Sequence, residues 1–183
     1  MNRLASPGQL RASLLRWALF IVPSVVLLGF LAGQMGGDAN SAWFQSLDKP
    51  AIFPPPATFG IVWAILYAMI GFAFAMVCAA WGSANRGVAI AAFLVHLGFN
   101  LAWSPVFFGQ QEIQLALYVI IAVDVLAILT TVLFFKVRKW AGLLMLPYLA
   151  WVLFATVLNW QFLELNPDPA DFDDDGAVQS FEF

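Results

Sequence analysis

Three indoles define the chemistry this chain can offer. Trp63, Trp103 and Trp151 each lie inside a long apolar run, and each has small or hydrogen-bonding company at helical spacing. Trp63 pairs with Tyr67 and Gly71, Trp103 with Asn100 and Phe107, and Trp151 with Tyr148 and Ala155. Residues three and four apart share a helix face. Three helices therefore each present a wide aromatic plate beside a small residue or a polar edge, as a bundle must to hold a large, flat, mostly apolar ligand. The chemistry is stacking and edge hydrogen bonding rather than bond cleavage. No G-x-S-x-G elbow, H-E-x-x-H pair or phosphate-cradling glycine loop occurs. The carboxylates in or near the apolar runs, Glu112, Asp124 and Glu164, lie too far apart along the chain to suggest an acid–base dyad. Ordinary enzyme classes are therefore not expected.

Two polar residues stand at membrane depth without an obvious reason. Asp124 lies mid-run, where a charge is expensive unless neutral, paired or facing a wet cavity. His96 and Asn100 fall at similar depth and are its candidate partners. Asp124 reads either as a ligand contact or proton-linked gate, or as an interhelical hydrogen bond locking the bundle; the second is the expectation. His96, the only histidine, excludes a histidine-cluster metal site and reads as a core residue, or as an axial nitrogen for a metalloporphyrin. Cys78 is the only cysteine, so no internal disulfide forms.

The carboxyl-terminal tail turns acidic abruptly. Asp171, Asp173, Asp175, Gly176 and Glu182 match the fixed positions of a D-x-D-x-D-G-x5-E calcium loop. Pro167 and Pro169 spoil the incoming helix and no helix can follow, so the tail reads as a plain acidic extension or as a weak calcium loop.

These residues need helices that cross a bilayer. The chain of 183 residues is 62% hydrophobic and 10% charged, with a mean hydropathy of +0.85. Soluble domains carry about a quarter charged residues. The runs Trp17–Gly37, Ala51–Asn85, Gly87–Gln111, Ile113–Phe135 and Trp140–Leu163 contain Asp124 as their sole acidic residue and no Lys or Arg. Each reaches about 20 residues, enough to cross about 30 Å of hydrocarbon. The expected fold is an all-α membrane protein, a five-transmembrane-helix bundle in one domain (residues 14–164), with helices over 14–35, 58–81, 87–108, 113–135 and 140–164. A basic arm (1–13) precedes it and the acidic tail (165–183) follows. Arg11 and Arg16 before an apolar run look like a signal sequence; the run is longer than a signal core, so an uncleaved first helix is expected.

Charge placement supports the count. With five spans, seven of the eight basic residues fall on one side and Lys49 alone on the other. The positive-inside bias puts the amino terminus in the cytoplasm and the carboxyl terminus outside, in what is expected to be a bacterial cell membrane. Trp17, Trp43, Trp81, Trp140 and Trp160 lie near run ends, as an interfacial belt does. The net charge of −3 comes from the tail, and no basic, aromatic-interleaved patch suggests nucleic acid.

One long Pro-rich loop joins the first two spans. Residues 36–57 carry Trp43, Lys49, Pro50, Phe53, Pro54 and Pro55, too apolar for a plain connector and stiffened toward polyproline geometry; a shaped lid over the bundle is expected. Gly29, Gly33 and Gly37 form a small-residue stripe that fits helix packing, while Gly71, Ala75 and Ala79, or Gly98 and Ala102, serve either internal packing or a dimer face. Gly109 is the expected cap of the third span. No internal repeat is visible, which argues against an inverted-repeat transporter.

Three stretches together resemble the translocator protein / tryptophan-rich sensory protein (TspO/MBR) family. The first runs Trp43-Phe-Gln-Ser-Leu47-Asp-Lys49-Pro50 through Pro54-Pro55 to Trp63-Ala-Ile-Leu66-Tyr67 and Gly71. The second is Asn100-Leu-Ala-Trp103-Ser-Pro105-Val-Phe107-Phe108-Gly109. The third is Pro147-Tyr148-Leu-Ala-Trp151-Val-Leu-Phe154-Ala155-Thr156-Val-Leu158-Asn159. Jointly they are highly specific and cover roughly residues 43–160.

The resemblance implies a five-helix bundle, usually a homodimer, that binds porphyrins such as protoporphyrin IX and, in animal relatives, cholesterol and benzodiazepine-type drugs. It places the ligand under the first loop, with Trp63, Tyr67, Asn100, Trp103, Phe107, Trp151 and Ala155 at matching positions; Tyr148 joins them from the third stretch. Many relatives carry an aromatic where this chain has Ile52 and another where it has Ala57, so Phe53 and Phe59 are the rings left to cap the ligand. Leu158-Asn159 is followed by no basic residue, and the weak cholesterol motif is unmet.

The expected function is a membrane receptor, sensor or carrier for a tetrapyrrole or other flat apolar molecule. No cofactor is required, porphyrin is the ligand, and calcium is a candidate only at the tail. Two alternatives share the site: light- and oxygen-dependent porphyrin breakdown, with the ligand as photosensitiser, and a ligand-regulated signalling module.

Overall fold

Hydrocarbon leaves backbone N–H and C=O groups no partner but one another, so apolar runs of this length resolve into helices. The computed structural model describes residues 6–35 and 41–167. The elements are α1 (Pro7–Met35), a short α2 (Ala42–Ser46), α3 (Pro56–Cys78), α4 (Arg86–Ser104), α5 (Ile113–Val137) and α6 (Lys139–Leu165), and no strand occurs among the described residues. Five of them are long and apolar enough to span a membrane. This is the all-α, five-span bundle the hydropathy requires.

Boundaries differ from the sequence reading in instructive places. Helix α1 begins at Pro7 rather than residue 14, so half of the basic arm is helical. The reason is a reciprocal cap: the Ser6 N–H donates to Gln9 Oε1 (2.8 Å) and the Gln9 N–H to Ser6 Oγ (3.3 Å), a capping box with proline at the first helical position. At the end of α4, Pro105 has no N–H for the ladder, and the chain widens into a π-helical turn over Pro105–Gly109, closed by Gln110 N–H to Pro105 O at 2.9 Å. The expected glycine cap at Gly109 is not what ends it; Gln111, at φ 61°, takes the left-handed position.

Helix α3 is the spine. Ile70, Ala73, Ala75 and Val77 are fully buried, and small residues set its approach to α1. A Cβ at Gly71 would lie 3.2 Å from Val22 Cα, so α3 packs backbone-close on α1 there. Across the same seam, Gly29 of α1 makes room for the Tyr67 ring, which a Cβ would overlap. The glycine stripe of α1 is only partly used, because Gly33 faces open space; Gly37 lies outside the described residues. On α4, Gly98 is likewise open, while Ala75 of the α3 stripe is internal.

The belt is visible at the ends. Trp81 and Trp140 are 67% and 71% exposed, and Trp160 is half exposed. Trp17 packs against the core and Trp43 against the lid instead.

Candidate functional site

The polar groups at mid-depth do not pair as expected. Asp124 meets neither His96 nor Asn100: Thr156 Oγ1 of α6 donates to Asp124 Oδ2 at 2.8 Å and also reaches the Val152 carbonyl at 3.1 Å. Asp124 therefore joins α5 to α6, the bundle-locking reading, with its Oδ1 left without a partner. The sequence did not suggest Thr156, because a threonine hydroxyl in an apolar run is indistinguishable from one bonded back to its own helix.

His96 and Asn100 belong to a separate chain that ties α3, α4 and α6 together. The Tyr67 hydroxyl donates to Asn100 Oδ1 (2.7 Å), and Asn100 Nδ2 donates to Tyr148 Oη (3.0 Å). Tyr148 Oη lies 2.7 Å from His96 Nε2. Because the Asn100 amide already donates to Tyr148, the tyrosine's own proton is free for His96 Nε2. The chain thus runs one way, from Tyr67 to His96. All four residues are buried, Tyr148 and His96 completely. With Nε2 occupied and no exposure, the His96 ring is a core residue here, its edge against Phe93.

Trp63 lies above this chain. It stacks on Tyr67 (centroids 5.4 Å apart, 29° between planes) and meets Tyr148 edge-on at 6.4 Å. Trp151, one turn along α6 from Tyr148, meets Phe59 (5.9 Å) and Phe154 (5.4 Å). Its Nε1 is buried and has no hydrogen-bond partner. Ala155 is buried one turn further on the same helix.

Trp103 and Phe107 sit in a second layer under the loop. The two rings stack at 5.0 Å, and Trp103 Nε1 donates to Asn159 Oδ1 at 2.9 Å. Asn159 in turn donates to the Ile113 carbonyl at 3.0 Å, bracing α4, α5 and α6 at one point. The π-helical turn aims Phe107 and Phe108 at the loop. There Phe44, only 2% exposed, plugs a cage formed by Phe53, Phe107, Phe108 and Phe162 at centroid distances of 5.3–6.3 Å. Trp43 closes the outer side against Phe107 at 5.7 Å.

The loop is therefore a built cover. Ser41 Oγ caps α2 by accepting from the Phe44 N–H, which sets the plug. Lys49 reaches back to the carbonyls of Gln45 and Leu47 and lies 5.4 Å over the Phe44 ring. Pro50 is buried, Phe53 and Pro54 are half-buried, and Pro55 caps α3. Ile52 points outward, while Phe53 and Phe59 stack at 5.3 Å and connect the lid to Trp151. Asn166, just past α6, fastens the cover by accepting from the Asp48 N–H and donating to the Asp48 carbonyl.

The predicted ligand residues are thus brought together in two connected layers: Trp63, Tyr67, Asn100, Tyr148, Trp151 and Ala155 below, Trp103 and Phe107 with the lid above. The three indoles are each half-buried. Sequence reasoning missed Phe44, Phe162, Asn159 and Asn166 as site elements. A signal existed for Asn159, which falls on the buried stripe Tyr148, Val152, Ala155, Asn159 and Phe162. The calcium-loop residues Asp171, Asp173, Asp175 and Glu182 lie outside the described residues.

The TspO/MBR family model matches residues 20–165 of the chain. The chain is 38% identical over 145 residues to the tryptophan-rich protein TspO of Archaeoglobus fulgidus, covering 78% of this chain and 92% of that protein. It is 35% identical to the tryptophan-rich sensory protein of Cereibacter sphaeroides (82% and 92% covered) and 35% identical to the human translocator protein (75% and 88% covered).

Proposed function

The chain belongs to the TspO/MBR family, and from that premise we propose that it is a multi-pass membrane receptor or carrier for a tetrapyrrole, held between α3, α4 and α6 beneath the α1–α3 loop. One observation carries the reading. Trp63 packs on Tyr67 and Tyr148 of the Tyr67–Asn100–Tyr148 chain, Trp151 lies one turn along α6 from Tyr148 with its ring against Phe59 of α3, and the buried Trp151 N–H has nothing to donate to. A buried donor without an acceptor costs roughly 1–3 kcal/mol, and a porphyrin's carboxylate edge would supply the acceptor. Phe53 of the lid stacks on Phe59 of α3, which meets Trp151, so the ligand enters by displacing Phe53 and the Phe44 plug.

An absorbance titration with protoporphyrin IX tests it. Trp63→Ala and Trp151→Ala should each weaken binding by roughly 1–3 kcal/mol, the scale of a large buried aromatic contact. Trp151→Phe, which keeps a ring and loses the N–H, should fall between wild type and Trp151→Ala. Unchanged titrations in all three remove the proposal. Trp103→Ala discriminates less, because its ring and N–H also brace the bundle through Phe107 and Asn159.

The photochemical alternative uses the same site, since Trp63 stacked on Tyr67 would place two oxidisable rings against a bound photosensitiser. Recovery of only unmodified porphyrin after illumination in oxygen leaves the binding role alone. For the homodimer, the outward stripe of Gly98 and Ala102 on α4 is the contact we propose, since small residues there allow close helix approach; a Gly98→Leu variant that still sediments as a dimer moves the contact elsewhere. The orientation proposed is amino terminus in the cytoplasm, from the basic residues clustered at one end.

A further inference from the structure

The end of the bundle opposite the lid carries a second feature, unrelated to the aromatic site. A groove of about 380 Å³ lies between the start of α1 and the α3–α4 turn, lined by Ser13, Arg16, Trp17, Phe20 and Trp81. Beside it, the Arg86 guanidinium lies flat on the Trp81 ring, Cζ 4.0 Å from the centroid, and its Nε donates to the Cys78 carbonyl at 3.0 Å. The guanidinium is thereby fixed with its terminal nitrogens still available. We infer that this groove is a binding site for an anionic phospholipid, whose headgroup phosphate is held by Arg16 and Arg86 and whose acyl chain runs along the Phe20 face of α1.

Three observations favour a lipid over a free anion. The first is charge. Among the described residues at this end, 6–19, 79–87 and 136–139 contain six Lys and Arg and no Asp or Glu, so nothing among them neutralises the arginines. Basic residues near a membrane surface attract anionic headgroups and release them with salt. The second is depth. Trp81, 67% exposed, flanks the groove, and exposed tryptophan settles at headgroup level. The third is continuity. Leu19 and Phe20, 76% and 71% exposed, lead from the groove down the bare side of α1, giving an acyl chain an apolar track that inorganic phosphate cannot use. Arginine suits the phosphate, since its planar fork binds phosphate bidentately.

Native mass spectrometry of the full chain, titrated in detergent with dioleoylphosphatidylglycerol, reads the site directly. Wild type should retain one such lipid in preference to dioleoylphosphatidylcholine. Arg16→Gln, an exposed substitution that leaves the helix intact, should lower that retention about fivefold, the effect of one basic residue near an anionic surface. Arg86→Gln should do the same. Lys136→Gln combined with Arg138→Gln removes two charges from the same end but outside the groove, and should leave retention unchanged. Equal retention of the two lipids, or equal loss in the control pair, overturns the site. Displacement of the lipid by millimolar inorganic phosphate overturns the lipid assignment in favour of a free anion.

Discussion

Asn166 grips Asp48 from 118 residues along the chain: the Asp48 N–H donates to Asn166 Oδ1 at 2.8 Å, and Asn166 Nδ2 donates to the Asp48 carbonyl at 3.0 Å. One side-chain amide thus mimics a strand partner and pins the lid to the end of α6. The Phe44 plug and this clip both fasten the cover.

Removing the clip should loosen the lid without unfolding the bundle. Each hydrogen bond contributes about 0.5–1.5 kcal/mol net, so Asn166→Ala should favour lid opening by about 1–3 kcal/mol. Stopped-flow porphyrin fluorescence should then show faster association and faster dissociation, while the thermal midpoint barely moves. Unaltered rates would mean that the loop does not gate the site.

Tyr148 is the hub of the buried polar chain, and its hydroxyl serves Asn100 and His96 at once. Tyr148→Phe leaves an amide donor and an imidazole nitrogen buried without partners, at about 1–3 kcal/mol of stability. His96→Leu should be costly too, and the double variant should lose less than the two single losses together, because the groups share one network. Chemical denaturation in detergent measures all three. Strict additivity would dissolve the network.

Much of this was legible in advance. Hydropathy and the one-sided distribution of Lys and Arg give five spans, since the bilayer makes helix the only economical answer to a long apolar run. The indoles at Trp63, Trp103 and Trp151 declared themselves by spacing. The layering did not, because spacing tells which residues share a face and not how far along the axis a facing helix brings its partners. The π-helical turn after Trp103, forced by Pro105, carries Phe107 against Phe44 of the loop while keeping it stacked on Trp103, a placement that helical spacing alone does not give.

The partners of the buried polar groups are not legible in the sequence, because spacing along one helix does not fix how a facing helix is rotated. Asp124, His96 and Asn100 stand at similar depth, but helix rotation sends Asp124 toward Thr156 and the other two toward Tyr148. The start of α1 at Pro7 is written in Ser6-Pro7-Gly8-Gln9, a capping box that outweighs the free arm the basic residues suggest.

Asp124 offers a test of the bundle-locking reading. Thr156 donates to one carboxylate oxygen, which asparagine retains, so Asp124→Asn should change stability by less than about 1 kcal/mol, whereas Asp124→Leu strands the Thr156 hydroxyl and should cost more. Porphyrin affinity should be unaffected in both. A loss of affinity in Asp124→Asn would place the carboxylate in the ligand's path.

The most direct test of the site is photo-crosslinking with a diazirine-bearing protoporphyrin, followed by peptide mapping. Labels are expected on Phe59–Tyr67 of α3 and Tyr148–Ala155 of α6, and should disappear in competition with unmodified protoporphyrin IX. Labels confined to the exposed faces around Trp140 and Trp160, or not displaced by the competitor, would contradict a tetrapyrrole site beneath the lid.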